Sequence, residues 1–145
     1  MRDYTKIIAW QKADDLTVAI YGSTKCFPCD EIYALTSQLR RAAYSVPANI
    51  VEGSSRDSKK DYLHFLYISR GSLSEVRYFI HLSHRLKYLD DERYVILTEQ
   101  ANETLRVLAG LIGAVEVETG RVSRAIARVS SACMMGLGSV LAGRP

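Results

Sequence analysis

Apolar residues recur every three or four positions in four segments of this chain, and no segment alternates between apolar and polar residues as a half-buried strand does. The segments cover about residues 7–25, 36–53, 58–89 and 90–115. Short connectors place consecutive helices antiparallel to one another. The pattern therefore predicts an all-α fold, an antiparallel up-down-up-down four-helix bundle.

The same periodicity predicts which side chains face the core. We expect the core stripe of the first helix to be Trp10, Ala13, Thr17, Ile20 and Thr24. We expect that of the fourth helix to be Tyr94, Leu97, Ala101, Leu105, Leu108, Ile112 and Val115.

The second segment contains residues that predict where its helix begins, kinks and ends. Thr36 is its predicted N-cap, and Gly53 is its predicted end. Pro47 lies inside the segment and has no backbone N–H to donate, so a kink or break is expected between Ala43 and Pro47.

Polar residues also mark where the third and fourth helices begin. Ser58 is followed by Asp61 at the spacing of a capping box. Acidic residues occupy positions 90–92, and the helix dipole favours negative charge at a helix N-terminus.

The third helix has apolar residues on more than one face. A helix that is apolar nearly all round needs more cover than a small bundle provides, so we expect this helix to take part in self-association. The residues concerned are Tyr62, Leu63, Phe65, Leu66, Tyr67, Ile68, Leu73, Val76, Tyr78, Phe79, Ile80, Leu82 and Leu86.

After about Val115 the pattern changes, which divides the chain into a bundle (1–115) and a C-terminal extension (116–145) that is partly helical or disordered. We expect the last fifteen residues to be mobile, since they are rich in Ala, Ser, Gly and Met without a period. Arg121, Arg124 and Arg128 share one helical face, which fits a short basic amphipathic helix or a solvated extension.

Composition narrows the class of protein. Of 145 residues, 48% are hydrophobic and 24% charged, which is typical of a folded domain and not of a disordered chain. The start of the chain has no apolar signal-peptide core, and three cysteines do not suggest a disulfide framework, so we expect a cytoplasmic protein. The net charge of +3 permits an acidic partner without requiring one.

Six basic residues form a candidate nucleic-acid-binding surface. A row of cations attracts the phosphate backbone without reading sequence, and neighbouring tyrosines are able to stack on unpaired bases. The alternative is that these are ordinary surface charges. The six are Arg40, Arg41, Lys59, Lys60, Arg70 and Arg77.

Four polar residues, Arg41, Asn49, Glu52 and Glu75, interrupt the apolar stripes. Two glutamates and an arginine are compatible with an acid–base site, but no histidine or nucleophile is placed beside them. We favour a structural polar network, because buried charges must be paired. The sequence accordingly predicts no catalytic site.

Cys26 and Cys29 have CxxC spacing, but they follow a predicted helix instead of preceding one, which argues against redox chemistry. His81 and His84 lie at the same end of the predicted bundle, so two thiolates and two imidazoles remain an alternative zinc site. The spacing matches no zinc finger, and we predict neither a metal nor a cofactor.

Several strings, taken together, resemble a four-helix-bundle family encoded in intervening sequences of bacterial 23S ribosomal RNA genes, also called S23 ribosomal proteins. They keep their order and spacing over about residues 3–112. The strings are Asp3-Tyr4, Ala9-Trp10-Gln11-Lys12, Phe27-Pro28, the segments 35–43 and 46–53, Ser58-Lys59-Lys60, and Gly71-Ser72-Leu73-Ser74-Glu75.

The resemblance implies a function in binding. The family is similar in fold to the accessory protein of diversity-generating retroelements, which the resemblance implies is a homopentamer that binds nucleic acid. For this chain it implies a non-catalytic homo-oligomeric, pentameric bundle that binds RNA or ribosome-associated nucleic acid, with no membrane contact. The alternative is a scaffolding protein that binds another protein and no nucleic acid.

Overall fold

A computed structural model describes residues 2–120. In this part of the chain the secondary structure is helical, and no strand is present. The four α-helices are α1 (Ile8–Ser23), α2 (Leu35–Ser54), α3 (Lys59–Arg85) and α4 (Asp91–Glu118), and 3₁₀ turns cover Tyr4–Lys6, Thr24–Cys26 and Cys29–Glu31. Each helix packs against the next, and α4 packs back against α1. The predicted antiparallel four-helix bundle is confirmed.

The core is built from the apolar stripes of all four helices. On α4 the prediction is largely confirmed, although Tyr94 and Leu105 are only half-buried. On α1 the stripe is centred one residue earlier, because Ala9 and Leu16 are buried whereas Trp10 and Thr17 are half-buried. The largest fully buried apolar side chains are Leu16, Ile20, Leu39, Ile50, Leu63, Leu66, Leu73, Ile80, Leu108, Val46 and Val76.

The predicted starts of the third and fourth helices are confirmed. The Ser58 hydroxyl accepts hydrogen bonds from the backbone N–H groups of Lys60 and Asp61, at 3.1 and 3.3 Å. Asp90 caps α4 by accepting from the Arg93 N–H at 2.8 Å. These side chains satisfy donors that a helix N-terminus leaves without intrahelical partners.

The predicted N-cap of α2 is wrong. The helix begins at Leu35, whose backbone N–H donates to the Glu31 carboxylate at 3.0 Å. Thr36 lies within the first turn and is 4% exposed, and no described group bonds its hydroxyl. Glu31, held on the preceding 3₁₀ turn, therefore supplies the polar group expected from Thr36.

We expect Thr36→Val to raise the free energy of unfolding by about 1 kcal/mol, because it removes a buried hydroxyl that has no partner. Urea unfolding at a fixed protein concentration measures the change. The matched control is Thr104→Val, whose buried hydroxyl is shared between the Gln100 carbonyl, at 2.8 Å, and the Lys12 carbonyl, at 3.3 Å. The free energy of unfolding of the Thr104→Val protein should fall by about 0.5–1 kcal/mol. A Thr36→Val protein that unfolds at a lower urea concentration than wild type contradicts the prediction.

Pro47 does not break α2, which is continuous from Leu35 to Ser54. A proline cannot donate to the carbonyl four residues earlier, here that of Ala43. The Thr17 hydroxyl of α1 lies 3.0 Å from this carbonyl and 2.8 Å from the Ala13 carbonyl of its own helix, and it shares its one hydrogen between the two acceptors. A side chain of the neighbouring helix thus compensates for the donor that proline lacks.

Gly53 does not end α2 either, since the helix continues to Ser54. A Cβ atom at position 53 would lie 2.9 Å from Phe65 Cβ and 3.0 Å from Tyr62 Cδ2. The glycine therefore permits a close approach between the end of α2 and the start of α3.

The third helix ends four residues before its predicted limit near Leu89, at Arg85. Lys87 adopts a left-handed backbone conformation with φ of 61°, which turns the chain toward α4. Of the apolar residues on α3, Ile68 and Tyr78 remain exposed. The self-association predicted from these residues stays a prediction.

The C-terminal predictions lie largely outside the described residues. The helix α4 continues past residue 115 to Glu118, and Gly120 has a positive φ of 69°. The extension with Arg121, Arg124 and Arg128 lies beyond residue 120, so the division of the chain into 1–115 and 116–145 stays a prediction. Among residues 2–120, no helix is both long and apolar enough to cross a membrane.

Candidate nucleic-acid interface

Charge is distributed unequally over the four helices. Together, α2 and α3 carry seven Lys or Arg and three Asp or Glu, whereas α1 and α4 carry three Lys or Arg and eight Asp or Glu. In the bundle α2 lies next to α3 and α1 lies next to α4. The molecule therefore has a basic wall, α2–α3, opposite an acidic wall, α1–α4.

Arg70 and Arg77 lie on the side of α3 that faces α4, and both are exposed. The Arg70 guanidinium is 5.0 Å from the centre of the Tyr67 ring, and the Tyr67 hydroxyl donates to Glu116 of α4. The Arg77 side chain lies in the groove between α3 and α4 and has no hydrogen bond or ion pair within residues 2–120. These two arginines are available to an external anion.

The lysines at the start of α3 differ from each other. The Lys59 ammonium lies 2.9 Å from the Glu118 carboxylate, and its hydrogen bond and charge lower the pKa of Glu118. Because that pKa is lowered, the pair stabilises the fold above the ordinary glutamate pKa of 4.5, and the contribution is lost as the pH falls through the lowered value. Lys60 is exposed and has no ion pair among the described residues.

The two arginines of α2 point to different neighbours. Arg40 donates to the Thr24 hydroxyl at 2.7 Å and stacks over the Tyr21 ring at 5.0 Å, so it contacts the α1 side. Arg41 lies in the opposite groove, between α2 and α3, with Glu75. Five of the six predicted cations thus lie on three sides of the bundle, and those on the α3–α4 side are Lys59, Arg70 and Arg77.

The four predicted network residues do not meet in one buried cluster. Arg41, Glu52 and Glu75 are exposed, and Asn49 is half-buried. Glu52 pairs with Arg56 at 2.5 Å, and the Asn49 amide donates to the Ser45 carbonyl at 2.7 Å.

Arg41 and Glu75 instead share an open polar groove of about 300 Å³, and their side chains have no hydrogen bond or ion pair among the described residues. The antiparallel packing of α2 and α3 brings these two together, whereas Glu52 pairs locally with Arg56, just after the end of α2. No arrangement of a nucleophile beside a base results from these four residues.

The cysteines and histidines lie near one end of the bundle but are not assembled into a metal site. Cys26 and Cys29 are exposed free thiols, and Cys26 Sγ is 4.0 Å from the Arg93 guanidinium. His84 Nε2 is 2.8 Å from Asp91 Oδ1, and its ring stacks on Tyr94 with centres 4.1 Å apart. Within residues 2–120, no three His, Cys, Asp or Glu side chains are grouped so as to hold a metal ion.

Tyr94, predicted only as a core residue, and Thr98, which no pattern indicated, line the same groove as Arg77 and His81. A signal for them exists in the sequence, because residues four apart share a helical face. Antiparallel packing of α3 and α4 places residues 77 and 81 alongside residues 94 and 98 in one cavity. The sequence shows which residues share a face of each helix, but it does not show which face of α4 packs against α3.

Comparison with known proteins adds the following findings. A family model described as "23S rRNA-intervening sequence protein" matches residues 5–110. A crystal structure of a protein with unknown function from the S23 ribosomal protein family of Bacteroides thetaiotaomicron superposes with a TM-score of 0.66. Its sequence is 24% identical over 72% of this chain and 98% of that chain, so this likeness shows the fold alone. No curated protein matches.

Proposed function

This chain belongs to the 23S rRNA-intervening sequence protein family, and from that premise we propose that it is a cytoplasmic, non-catalytic, homo-oligomeric bundle that binds RNA. The observation that carries the proposal is the pair Arg70 and Arg77. They stand seven residues apart on one side of α3, exposed to solvent, and no carboxylate of the described residues pairs with either.

The surroundings of these arginines suit a single strand of RNA. Arginines contact phosphate oxygens irrespective of base identity. The Arg70 guanidinium over the Tyr67 ring adds a flat cationic platform beside an aromatic side chain. Unpaired bases stack on such groups, whereas bases within a duplex do not reach them.

The distribution of charge supports self-association. A basic wall opposite an acidic wall allows the α2–α3 face of one copy to pack on the α1–α4 face of the next. Such a head-to-tail contact forms a closed ring when its rotation closes. The Arg41 and Glu75 side chains lie on the first of these faces, and the exposed Ile68 stands seven residues before Glu75 on α3, on the same helical stripe. The number five comes from the family resemblance.

The arginine pair provides the test for RNA binding. We expect the double variant Arg70→Glu, Arg77→Glu to bind a fluorescent single-stranded RNA about tenfold more weakly at low salt, because two phosphate contacts become repulsive. The slope of log affinity against log salt should fall by about 1.4 for each protomer contacting the strand. Fluorescence anisotropy measures both quantities.

A double variant with wild-type affinity, or a wild-type protein that binds no RNA at low salt, contradicts the proposal. The control is Lys59→Gln. Lys59 is already engaged with Glu118, so its loss should change the affinity less than twofold.

The alternative function is protein scaffolding. Tyr33 is 94% exposed and the adjacent Ile32 is 50% exposed, at the bundle end near the CxxC pair. Exposed apolar side chains of this kind are typical of protein contacts. Size-exclusion chromatography with light scattering, with and without nuclease, separates the two functions. A complex with a defined polypeptide and a protein-like absorbance ratio at 260 to 280 nm favours scaffolding.

A further inference from the structure

The groove between α3 and α4 contains a cavity of about 220 Å³ lined by Arg77, Ile80, His81, Tyr94, Thr98 and Ala101. Its floor is apolar, since Ile80 and Ala101 are buried. Its polar lining consists of a guanidinium, an imidazole, a phenol and an aliphatic hydroxyl, all of which donate hydrogen bonds. Among residues 2–120, no carboxylate lines the cavity.

These polar groups are not used by the fold. Within residues 2–120, no hydrogen bond or ion pair engages the side chains of Arg77, His81 or Thr98, or the hydroxyl of Tyr94. Donors that are not needed to hold the bundle together are available to a ligand. Elsewhere in the α3–α4 groove, the Lys59 and Tyr67 side chains are engaged with carboxylates of α4. The cavity differs from the rest of the groove because its polar groups are not hydrogen-bonded or ion-paired to any described residue.

The cavity is also held in position before a ligand arrives. The Tyr94 ring lies flat against His84, with an angle of 11° between the rings, and His84 is bonded to Asp91. Arg77 and His81 are one turn apart on α3, and Tyr94 and Thr98 are one turn apart on α4. Groups mounted on two packed helices bind with little loss of conformational freedom.

The size of the cavity limits what it holds. Pockets for whole small molecules are typically about 300–1,000 Å³, whereas this one is smaller. It has room for one group of a larger ligand. A donor-rich lining with a guanidinium and no carboxylate selects an anionic oxygen-bearing group.

We infer that this cavity is a phosphate-binding site, and that it receives one backbone phosphate of an RNA strand. The inference rests on the proposed RNA-binding function and names the place where the strand is held. In the head-to-tail ring proposed above, the α2–α3 and α1–α4 walls are occupied by neighbouring copies. The α3–α4 groove then stays open on one surface of the ring, where a strand passes from one copy to the next.

The decisive variant is Thr98→Val, because it keeps size and charge and removes one donor. We expect it to weaken binding of a fluorescent single-stranded RNA by about threefold per cavity, the loss of one hydrogen bond to a charged group discounted for solvent. We expect Arg77→Gln to weaken binding by about tenfold. The matched control is Arg106→Gln, which removes the same charge from an exposed position of α4 outside the cavity and should change affinity less than twofold.

Two outcomes separate this inference from the proposed function. If RNA binds wild type but Thr98→Val binds equally well and Arg77→Gln is no weaker than Arg106→Gln, the strand lies elsewhere and the cavity inference is overturned. If no RNA binds at all, the proposed function fails.

Titration with inorganic phosphate and with a nucleoside monophosphate, followed by backbone amide NMR, then tests the cavity by itself. Shifts confined to residues 77–81 and 94–98 that vanish in Arg77→Gln support an anion site whose ligand is a small phosphate. The absence of such shifts overturns the site. Thermal unfolding of each variant shows whether a loss of binding reflects a loss of fold.

Discussion

Gly53→Ala is expected to lower the free energy of unfolding by about 1–3 kcal/mol, although alanine is the better helix former. The added methyl would lie 2.9 Å from Phe65 Cβ and 3.3 Å from the Tyr62 carbonyl oxygen. Both atoms are fixed to the backbone of α3, so neither is able to rotate away. The end of α2 and the start of α3 must separate instead, and this loosens the burial of Tyr62, which is 2% exposed.

Urea unfolding at one protein concentration measures this cost, because an oligomer's stability depends on concentration. The matched control is Gly71→Ala, since a Cβ atom at position 71 meets nothing within 4 Å. Gly71 lies in the middle of α3, where glycine costs about 0.5–1 kcal/mol relative to alanine. We expect the two identical substitutions to have opposite signs, and a stabilised Gly53→Ala protein would show that the close approach is absent in solution.

Thr17→Val is expected to destabilise the bundle by about 1–3 kcal/mol despite its equal volume. It removes the hydroxyl that is shared between the Ala43 carbonyl, at 3.0 Å, and the Ala13 carbonyl of the same helix, at 2.8 Å. That carbonyl belongs to a residue that is 1% exposed, and the residue four positions on is Pro47, which has no N–H. A buried acceptor left without a partner costs more than an ordinary hydrogen bond contributes. Thr17→Ser keeps the hydroxyl and should retain most of the stability.

A double-mutant cycle isolates this explanation. In Pro47→Ala, residue 47 regains an N–H that is able to donate to the Ala43 carbonyl along the helix. The loss caused by Thr17→Val should therefore be at least about 1 kcal/mol smaller in the Pro47→Ala background. If the two effects are additive, the Thr17 hydroxyl does not compensate for the proline. The destabilisation caused by Thr17→Val then has another origin.

The starts of the third and fourth helices were predicted well from sequence, and that of the second was not. Ser58 and Asp90 cap their helices because a capping side chain bonds N–H groups two or three residues away. Thr36 has the same chemistry and does not cap, since Glu31 reaches the free N–H of Leu35 from a 3₁₀ turn. The competing residue was nearby in sequence, but the turn that presents it was not predicted.

The candidate site was predicted less completely than the fold. The spacing of Arg70 and Arg77 placed them on one stripe of α3, and the structure leaves both exposed. The stripe did not reveal that Glu118 engages Lys59 or that Thr24 engages Arg40. It also did not show that Tyr94 and Thr98 stand beside Arg77. A cation's availability depends on the residues that neighbouring helices place next to it.

The sequence by itself determined the helical period, the number of helices within the bundle, the cap at Ser58 and the acidic start of the fourth helix at residues 90–92. All of these depend on residues less than about two turns apart, which the chain holds near one another. Only the tertiary structure decided that Gly53 is a contact and not a terminus, and that Thr17 supplies the donor missing at Pro47. It also decided that Arg77 opens onto a donor-lined cavity. Each of these depends on which face of one helix packs against which face of another. The periodicity of a single helix does not indicate which residues of a neighbouring helix it will contact.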